Sequence, residues 1–375
     1  MNRMWLVMGV AVVSVVAVVC GRVRMGNENQ DGAGVHIGGG SHGKEARLAA
    51  AESAEGSGAG WLETIERTAG RVFLGAEKGV VLWGYDVLAE PNVLVALTVK
   101  LQRTRLTDIE GARIIYTLAD EVLESVKTDE EGEATLAWQP PGVGDYEIKA
   151  RVFAAPREWD QEDKEALTQV SPVEVFVRVR EPNAVFVVVD LDHTLVDSSF
   201  WKVLLGGGSP MANSKAVMKR VAERYSVIYL THRPDLMMHT SKNWLEQHGY
   251  PPGPLLVSDV EETVRGSRWF KSRKLEHVRK TFVNVRIGIG DKIGDAQAYA
   301  DNGMEAYLIP HYDPEDEEGM FELADEVREL AKHGRVQVVR NWREVEAGVF
   351  SGASFPPARF VDWLEEQARR VEDED

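Results

Sequence analysis

Hydrophobic and polar residues alternate along the chain with two different periods. Between about residues 80 and 181, apolar residues recur at every second position. The runs with this period are 93–101, 146–152 and 173–179. Turn-forming residues separate them at 128–132 and 140–144. Several short alternating strands predict an antiparallel β-sandwich, which we place at residues 61–181.

The pattern changes after Pro182, because proline cannot continue a central strand. Beyond it, continuous apolar runs alternate with amphipathic stretches. The predicted strands are 185–189, 227–230, 255–257, 286–289, 306–309 and 336–339. The predicted helices are 213–225, 235–248, 272–280, 295–302, 317–333 and 356–370. This alternation indicates an α/β domain over residues 182–370, with a parallel sheet and helices on both faces.

The N-terminal segment is apolar from residue 5 to residue 20, with arginines on both sides. A helix of that length spans about 24 Å, which is shorter than the hydrocarbon core of a bilayer. Residues 1–24 are therefore interpreted as a signal peptide or a membrane anchor, and residues 17–20 resemble a bacterial lipoprotein box. The Gly- and Ser-rich residues 25–60 predict a flexible tether. We expect an exported or membrane-anchored protein of a bacterial-type cell envelope.

Composition narrows the function classes. The 375 residues are enough for two domains, and the net charge of −17 disfavours nucleic acid as a partner. The acidic residues 371–375 are expected to form a solvated tail. Cys20 is the only cysteine, which excludes an intrachain disulfide and a cysteine-based metal cluster.

Two acidic residues end the first strand of the predicted parallel sheet. Asp190 follows the apolar run, and Asp192 comes two residues later, so in an extended backbone both side chains project to the same side. Open α/β sheets bind ligands at the carboxyl ends of their strands. Two carboxylates there repel each other unless a cation or a shared proton relieves them. The pair indicates a chemical site, and capping of the following turn is the alternative.

Groups that can bind a phosphate follow later in the chain. Thr231 ends the second predicted strand, where its hydroxyl can donate to a phosphate oxygen or cap a helix. Lys271, just before the predicted helix at 272–280, can hold the same phosphate, and Lys274 is its alternative. Neighbouring residues are candidates either for substrate binding or for structural roles: His193, His232 and Arg233.

A third strand end carries the predicted metal ligands. Gly290 lets the backbone turn closely, and Asp291 and Asp295 can then face one cation. Oxygen ligands without a set of Cys or His residues favour Mg²⁺. Capping of a helix is the alternative for Asp295. The loop that begins with His311 and Tyr312 is expected to be solvated.

These motifs carry a family resemblance. They are, in chain order, Asp190, Asp192, Thr194, Thr231, Lys271, Asp291 and Asp295. In this order they resemble the haloacid dehalogenase superfamily of phosphohydrolases, over about residues 184–345. Residues 247–256, together with Phe270-Lys271 and Leu275, are similar to the lipin-type phosphatidate phosphatase branch, which has Gly in place of His193. Residues 128–146 resemble the immunoglobulin-like modules found beside exported enzymes.

The resemblance implies a capless Rossmannoid fold and a mechanism. Asp190 would attack phosphorus and form an aspartyl-phosphate. Asp192 would protonate the leaving oxygen and later deprotonate the hydrolytic water. Mg²⁺ would be held by Asp190, the backbone carbonyl of Asp192, and Asp291, with Asp295 as a ligand or a support.

Thr231 and Lys271 would, by the same resemblance, bind the oxygens of the transferring phosphoryl group. The intervals from Asp192 to Thr231 and from Thr231 to Lys271 leave little room for an inserted cap domain. Capless members of the superfamily act on large or surface-presented phosphates, so a phosphatidate-like lipid is the leading substrate prediction. The alternatives are a non-catalytic, membrane-tethered binding or scaffold protein, and a phosphotransferase to an acceptor other than water.

Overall fold

The computed structural model describes residues 80–372 except 104–106, 157–158, 160, 169 and 198–207. The predicted segments 1–24 and 25–60 lie outside the described residues, as does the predicted β-domain before residue 80. No helix within the described ranges is both long enough and apolar enough to cross a membrane. The described β-strands and the α/β region belong to one compact unit.

The first half of the described chain is built mainly of strands. They are β1 (Val80–Gly84), β2 (Val87–Ala89), β3 (Val95–Arg103), β4 (Thr107–Asp108), β5 (Arg113–Leu118), β6 (Glu121–Lys127), β7 (Glu133–Trp138), β8 (Gly144–Ala154) and β9 (Val173–Val179), with helix α1 (Gln161–Thr168) before β9. Strands β1, β3, β4 and β7 form one sheet, and β2, β9, β8, β5 and β6 form another.

The alternating pattern decides which side chains lie between these two sheets. Leu97 and Val99 of β3, Ile148 of β8, and Val175 and Val177 of β9 are fully buried members of one hydrophobic cluster. Both sheets contribute to this cluster, so they share a core. We call residues 80–179 the β-domain.

One strand pair departs from the predicted antiparallel arrangement. Strand β2 runs parallel to β9, whereas the other pairs in these two sheets are antiparallel. The physical reason is a crossing of the chain: β1 belongs to the first sheet and β2 to the second, so the chain changes sheets at Tyr85 and Asp86. Tyr85 and Asp86 therefore belong to neither sheet and lie between strands β1 and β2.

The second half alternates strands and helices. The elements are β10 (Phe186–Val189), α2 (Ser214–Ala222), β11 (Ser226–Pro234), α3 (Met238–Gln247), β12 (Leu255–Ser258), α4 (Val260–Arg265), α5 (Ser267–Thr281), β13 (Val285–Gly290), α6 (Ile293–Asp301), β14 (Glu305–Leu308), α7 (Glu317–Leu330), β15 (Val336–Val338), α8 (Trp342–Ser351) and α9 (Pro357–Glu372). A short 3₁₀ turn, Asp235–Met237, connects β11 to α3.

All six strands pair in parallel, in the order β12-β11-β10-β13-β14-β15. Counted from β10, this is the strand order of a doubly wound sheet. Val187 and Val189 of the central strand pack with α2, α3 and α8 on one face. Phe186 and Val188 pack with α5, α6, α7 and α9 on the other. Helices therefore cover both faces, which is why the strand is apolar throughout.

Several predicted boundaries are wrong. Strand β11 continues to Pro234, which pairs with Ser258 of β12, so Thr231 lies inside a strand and does not cap a helix. Helix α5 begins at Ser267, and Lys271 lies within it and not before it. Helix α9 extends to Glu372, into the predicted acidic tail. Helices α1, α4 and α8 were not predicted.

The close approach of α6 to the sheet generates a test at Gly288. A Cβ on Gly288 would overlap the ring of the fully buried Tyr299. Gly288→Ala should lower the free energy of unfolding by about 1–3 kcal/mol through overpacking. Chemical denaturation measures this, with Gly334→Ala as the control because its Cβ would meet no atom within 4 Å. Equal losses in the two variants would contradict the packing described.

Candidate active site

The carboxyl ends of the three central strands carry the predicted site residues. Asp190 follows β10, and Asp291 follows β13. Thr231, His232 and Arg233 lie in the last half of β11, beside Asp190. Helix α6 begins right after Asp291 and carries Asp295 in its first turn. The parallel order of the sheet thus brings to one edge residues that are far apart in sequence.

Three buried carboxylates form the centre of this site. Oxygen atoms of Asp190, Asp291 and Asp295 lie within 4.8 Å of one another. Asp291 Oδ1 and Asp295 Oδ2 are buried and have no hydrogen-bond partner. A Cβ on Gly290 would lie 2.8 Å from Asp295 Oδ2, so glycine is what permits this close approach. Asp295 does not cap α6, whose N-cap is Lys292.

Lys271 supplies positive charge to this cluster. Its Nζ lies 3.1 Å from Asp190 Oδ1 and 2.7 Å from Asp295 Oδ1, and its side chain is 1% exposed. Lys274, the alternative considered above, is one third exposed and pairs with Glu262. The geometry thus favours Lys271 as the lysine of the site.

Burial and mutual repulsion change the titration of the carboxylates. Desolvation raises the pKa of Asp190 to about 6, against the attraction of Lys271. Desolvation, followed by the charges of Asp190 and Asp295, raises the pKa of Asp291 to about 8. Burial opposes the charge of Lys271, but Asp190 and Asp295 raise its pKa well above the ordinary value.

The cluster fits a divalent cation. Three carboxylates face one ammonium, and two of their oxygens have no donor. Such oxygens are hard ligands of the kind that Mg²⁺ prefers, and a cation would offset both the burial of Asp291 and its repulsion by Asp190 and Asp295, which together raise its pKa. Asp190, Asp291 and Asp295 are therefore the residues that could hold it.

Asp192 takes part in a different interaction. Arg233 Nη2 donates to Asp192 Oδ1 at 2.6 Å, and Arg233 Nε donates to Asp192 Oδ2 at 3.0 Å. Arg233 Nη1 also donates to Ser241 Oγ of α3 at 2.9 Å. Arg233 is buried, so its carboxylate partner is held in one orientation. This favours the structural alternative for Arg233, as a support behind Asp192.

The other predicted residues lie around the same edge. Thr231 is buried, and its Oγ1 accepts from the backbone N–H of Arg233 at 3.4 Å. His232 Nε2 lies 3.3 Å from the carbonyl oxygen of Glu262, and burial lowers the pKa of its ring. His193 has a φ of 51°, in the left-handed region.

The loop after β14 is mostly exposed, as expected, but nothing in the sequence indicated its contact with His193. The ring of His193 lies 4.6 Å, centroid to centroid, from that of His311. Tyr312, in the same loop, packs edge-on against Trp363. Ser241 was missed as well, because a serine inside an amphipathic helix gives no signal that it meets Arg233. Only the buried positions of both side chains reveal that contact.

Titration of Asp291 generates the first prediction for the site. The pKa of Asp291 in the folded protein, about 8, exceeds the ordinary value of 3.8. Without a cation, the free energy of unfolding should therefore fall as the pH rises between these two values. A cation binds the ionised carboxyl, so the rise in Tm caused by Mg²⁺ should be small at about pH 6 and larger above about pH 8. Thermal unfolding measures both effects. Asp291→Asn should abolish the Mg²⁺-induced rise in Tm and the loss of stability between about pH 6 and pH 8, and the exposed Asp362→Asn should not.

The second prediction for the site concerns the loss of Lys271. Lys271→Met leaves two buried carboxylates without their cation and should cost about 3–5 kcal/mol of unfolding free energy without Mg²⁺. Lys274→Met breaks a partly exposed pair and should cost less than about 1 kcal/mol. Denaturant titration separates the two, and similar losses would argue against the central position of Lys271.

Comparison with known proteins adds a family match to this geometry. Residues 187–309 match the family model described as the LNS2 domain of PITM 1-3. The matched family is a lipin-like phosphatase domain related to the haloacid dehalogenases. The match is therefore consistent with the predicted resemblance to the lipin-type branch. The match covers about a third of the chain, contains every predicted site residue and leaves out the β-domain. No curated protein matches the chain.

Solved structures give only weak likenesses. A chain of the Pnkp1/Rnl/Hen1 RNA repair complex is 17% identical with a TM-score of 0.31, and the alignment covers 35% of this chain and 44% of that one. The CARDB domain of a Pyrococcus furiosus protein is 15% identical with a TM-score of 0.19, over 27% and 94% of the two chains. Extracellular domains 3–5 of Drosophila OTK are 13% identical with a TM-score of 0.18, over 32% and 44%. These TM-scores are too low to support an argument about fold or function.

Proposed function

We propose that the chain is a Mg²⁺-dependent phosphomonoester hydrolase that forms an aspartyl-phosphate on Asp190. The LNS2 match suggests a phosphatase-like or lipid-related function. The observation that carries the finer proposal is the buried cluster of Asp190, Asp291 and Asp295 around Lys271, with two carboxylate oxygens left unpaired. Such carboxylates destabilise a fold unless a cation is bound, so a mere scaffold has no physical need for them.

The residues of the site have complementary roles in this proposal. Lys271 and Thr231 bind oxygens of the phosphoryl group and stabilise the charge that develops on them. Asp190 attacks phosphorus, the bond from phosphorus to the leaving oxygen breaks, and Asp192 gives that oxygen a proton. Water then attacks the phosphorus of the aspartyl-phosphate while Asp192 takes a proton from the water. Inorganic phosphate leaves, and the Asp190 carboxylate is restored.

The metal ligands in this proposal are Asp190, Asp291 and Asp295, with the backbone carbonyl of Asp192. When bound, Mg²⁺ offsets the repulsion between the anionic nucleophile and the anionic phosphate. The remaining edge residues, His193 and His232, are the proposed contacts to the rest of the substrate.

The proposed substrate class is a phosphatidate-like lipid or another large, surface-presented phosphate. Two observations support it. The match is to a lipin-like domain. The described strands and helices between β10 and β13 all belong to the layers of the α/β region. We further propose that residues 1–24 bring the chain to the membrane of a bacterial-type cell envelope, either as an anchor or as an export signal.

The test is phosphate release by the full chain, with and without Mg²⁺, from an aryl phosphate and from phosphatidate vesicles. Asp190→Asn removes the nucleophile and should lower the rate by a factor on the order of a thousand or more. Asp362→Asn makes the same chemical change at an exposed position of α9 and should leave the rate unchanged.

The outcomes separate the competing hypotheses. Phosphate release from the aryl ester alone would support phosphatase activity and contradict the proposed lipid substrate. A phosphorylated alcohol, formed when an alcohol is added, would indicate phosphotransfer. No release from either substrate, by a protein that Mg²⁺ stabilises, would contradict catalysis and favour a binding protein.

A further inference from the structure

The crossing of the chain between the two β-sheets places two polar residues against the α/β region. Asp86 has a side chain that is 1% exposed. Its Oδ1 accepts from the backbone N–H of Phe176 in β9 at 2.9 Å, and its Oδ2 accepts from that of Leu255 in β12 at 2.8 Å. Lys242 of α3 forms an ion pair with the same carboxylate. One buried carboxylate thus joins the β-domain to a strand and a helix of the α/β region.

Tyr85 makes a second contact of the same kind. Its hydroxyl donates to Asp235 Oδ2 at 2.7 Å. Asp235 opens the 3₁₀ turn directly after β11, two residues beyond Arg233. The β-domain therefore holds the end of the strand that carries Thr231 and Arg233.

These contacts lead to Asp192 through one further residue. Arg233 donates to Asp192 with two N–H groups and to Ser241 with a third. Ser241 and Lys242 are neighbours on α3, so the helix residue beside the partner of Asp86 is itself a partner of Arg233. Polar contacts, buried or partly buried and joined through the backbone at residues 233–235 and 241–242, therefore connect the β-domain to the carboxylate of Asp192.

A guanidinium couples the position of its own strand to that of the carboxylate it binds. It is planar and rigid, and it binds a carboxylate through two parallel hydrogen bonds, so a shift of Arg233 shifts Asp192. Proton transfer to a leaving oxygen depends steeply on such placement, because the proton donor must stand within hydrogen-bond reach. Strand ends and turns are otherwise among the more mobile parts of a sheet.

We propose that Tyr85 and Asp86 are positioning residues, through which the β-domain holds Arg233 and so orients Asp192 for proton transfer. The proton-transfer part rests on the proposed function, whereas the positioning of Asp192 does not. The β-domain is then a part of the site's architecture and not only a spacer. Neither residue touches the substrate, and both act through β11 and α3.

Arg178 offers a matched control. It belongs to β9, and it too reaches the α/β region, where it donates to the carbonyl oxygens of Val227 and Pro252. Val227 lies at the other end of β11, away from Arg233. Arg178→Lys therefore loosens the same two regions without touching the contacts that lead to Asp192.

The first measurement is hydrogen–deuterium exchange of the full chain, which needs no activity. Tyr85→Phe and Asp86→Asn should speed exchange by about threefold or more in residues 231–241 and also in residues 190–197, which neither side chain contacts. Arg178→Lys should leave residues 190–197 unchanged. In an Arg233→Lys background, Asp86→Asn should add no further change there. Faster exchange confined to residues 231–241 would overturn the proposal.

The second measurement distinguishes positioning from general loosening. Proton donation matters most for a poor leaving group, so both variants should lower kcat about tenfold for an alkyl phosphate and less than about twofold for nitrophenyl phosphate, with KM unchanged. Equal losses on both substrates, or the same pattern in Arg178→Lys, would overturn the proposal. If the wild-type chain hydrolyses neither substrate, the proposed function fails, and the exchange measurement still decides whether the β-domain positions Asp192.

Discussion

Lys271 lies between Asp190 and Asp295 with its side chain almost completely buried, and the rest of the site depends on this interaction. A buried ammonium and buried carboxylates are tolerated only as partners, since each alone would be strongly destabilising. Lys271 satisfies one oxygen of each neighbour but does not neutralise all three carboxylates. Without a cation, burial and the neighbouring carboxylates raise the pKa of Asp291 to about 8, and its unpaired Oδ1 makes the edge of the sheet a site that a cation could occupy.

Charge also explains why Asp190 and Asp192 differ although they are two residues apart. Asp190 faces the carboxylate cluster and Lys271, whereas Asp192 faces Arg233. Asp190 thus lies where a cation could share its charge with Asp291 and Asp295, whereas the guanidinium of Arg233 fixes the orientation of Asp192. Polar contacts of Arg233, Ser241 and Lys242 connect Asp192 through α3 to the β-domain, so both halves of the described chain contribute to the surroundings of Asp192.

Much of the fold follows from local patterns. The apolar run at 185–189 predicts a strand buried on both faces, and the four side chains of the observed strand β10 are fully buried. The alternation at 173–179 predicts the inward face of β9. What failed were boundaries set by pairing between distant segments: β11 continues because β12 lies beside Pro234, and β2 runs parallel to β9 because the chain changes sheets. No local pattern encodes either neighbour.

The sequence by itself indicated the candidate site residues, because Asp190, Thr231 and Asp291 follow hydrophobic runs whose period is a local property. Only the tertiary structure decided which of these groups meet. In the folded protein Lys271 contacts the buried carboxylate of Asp295, whereas Lys274 pairs with Glu262 outside the site. The tertiary structure also joined Arg233 to Asp192 and Tyr85 to Asp235 across 41 and 150 residues. Contacts at such separations depend on how the sheets and helices pack, and local patterns carry no record of that packing.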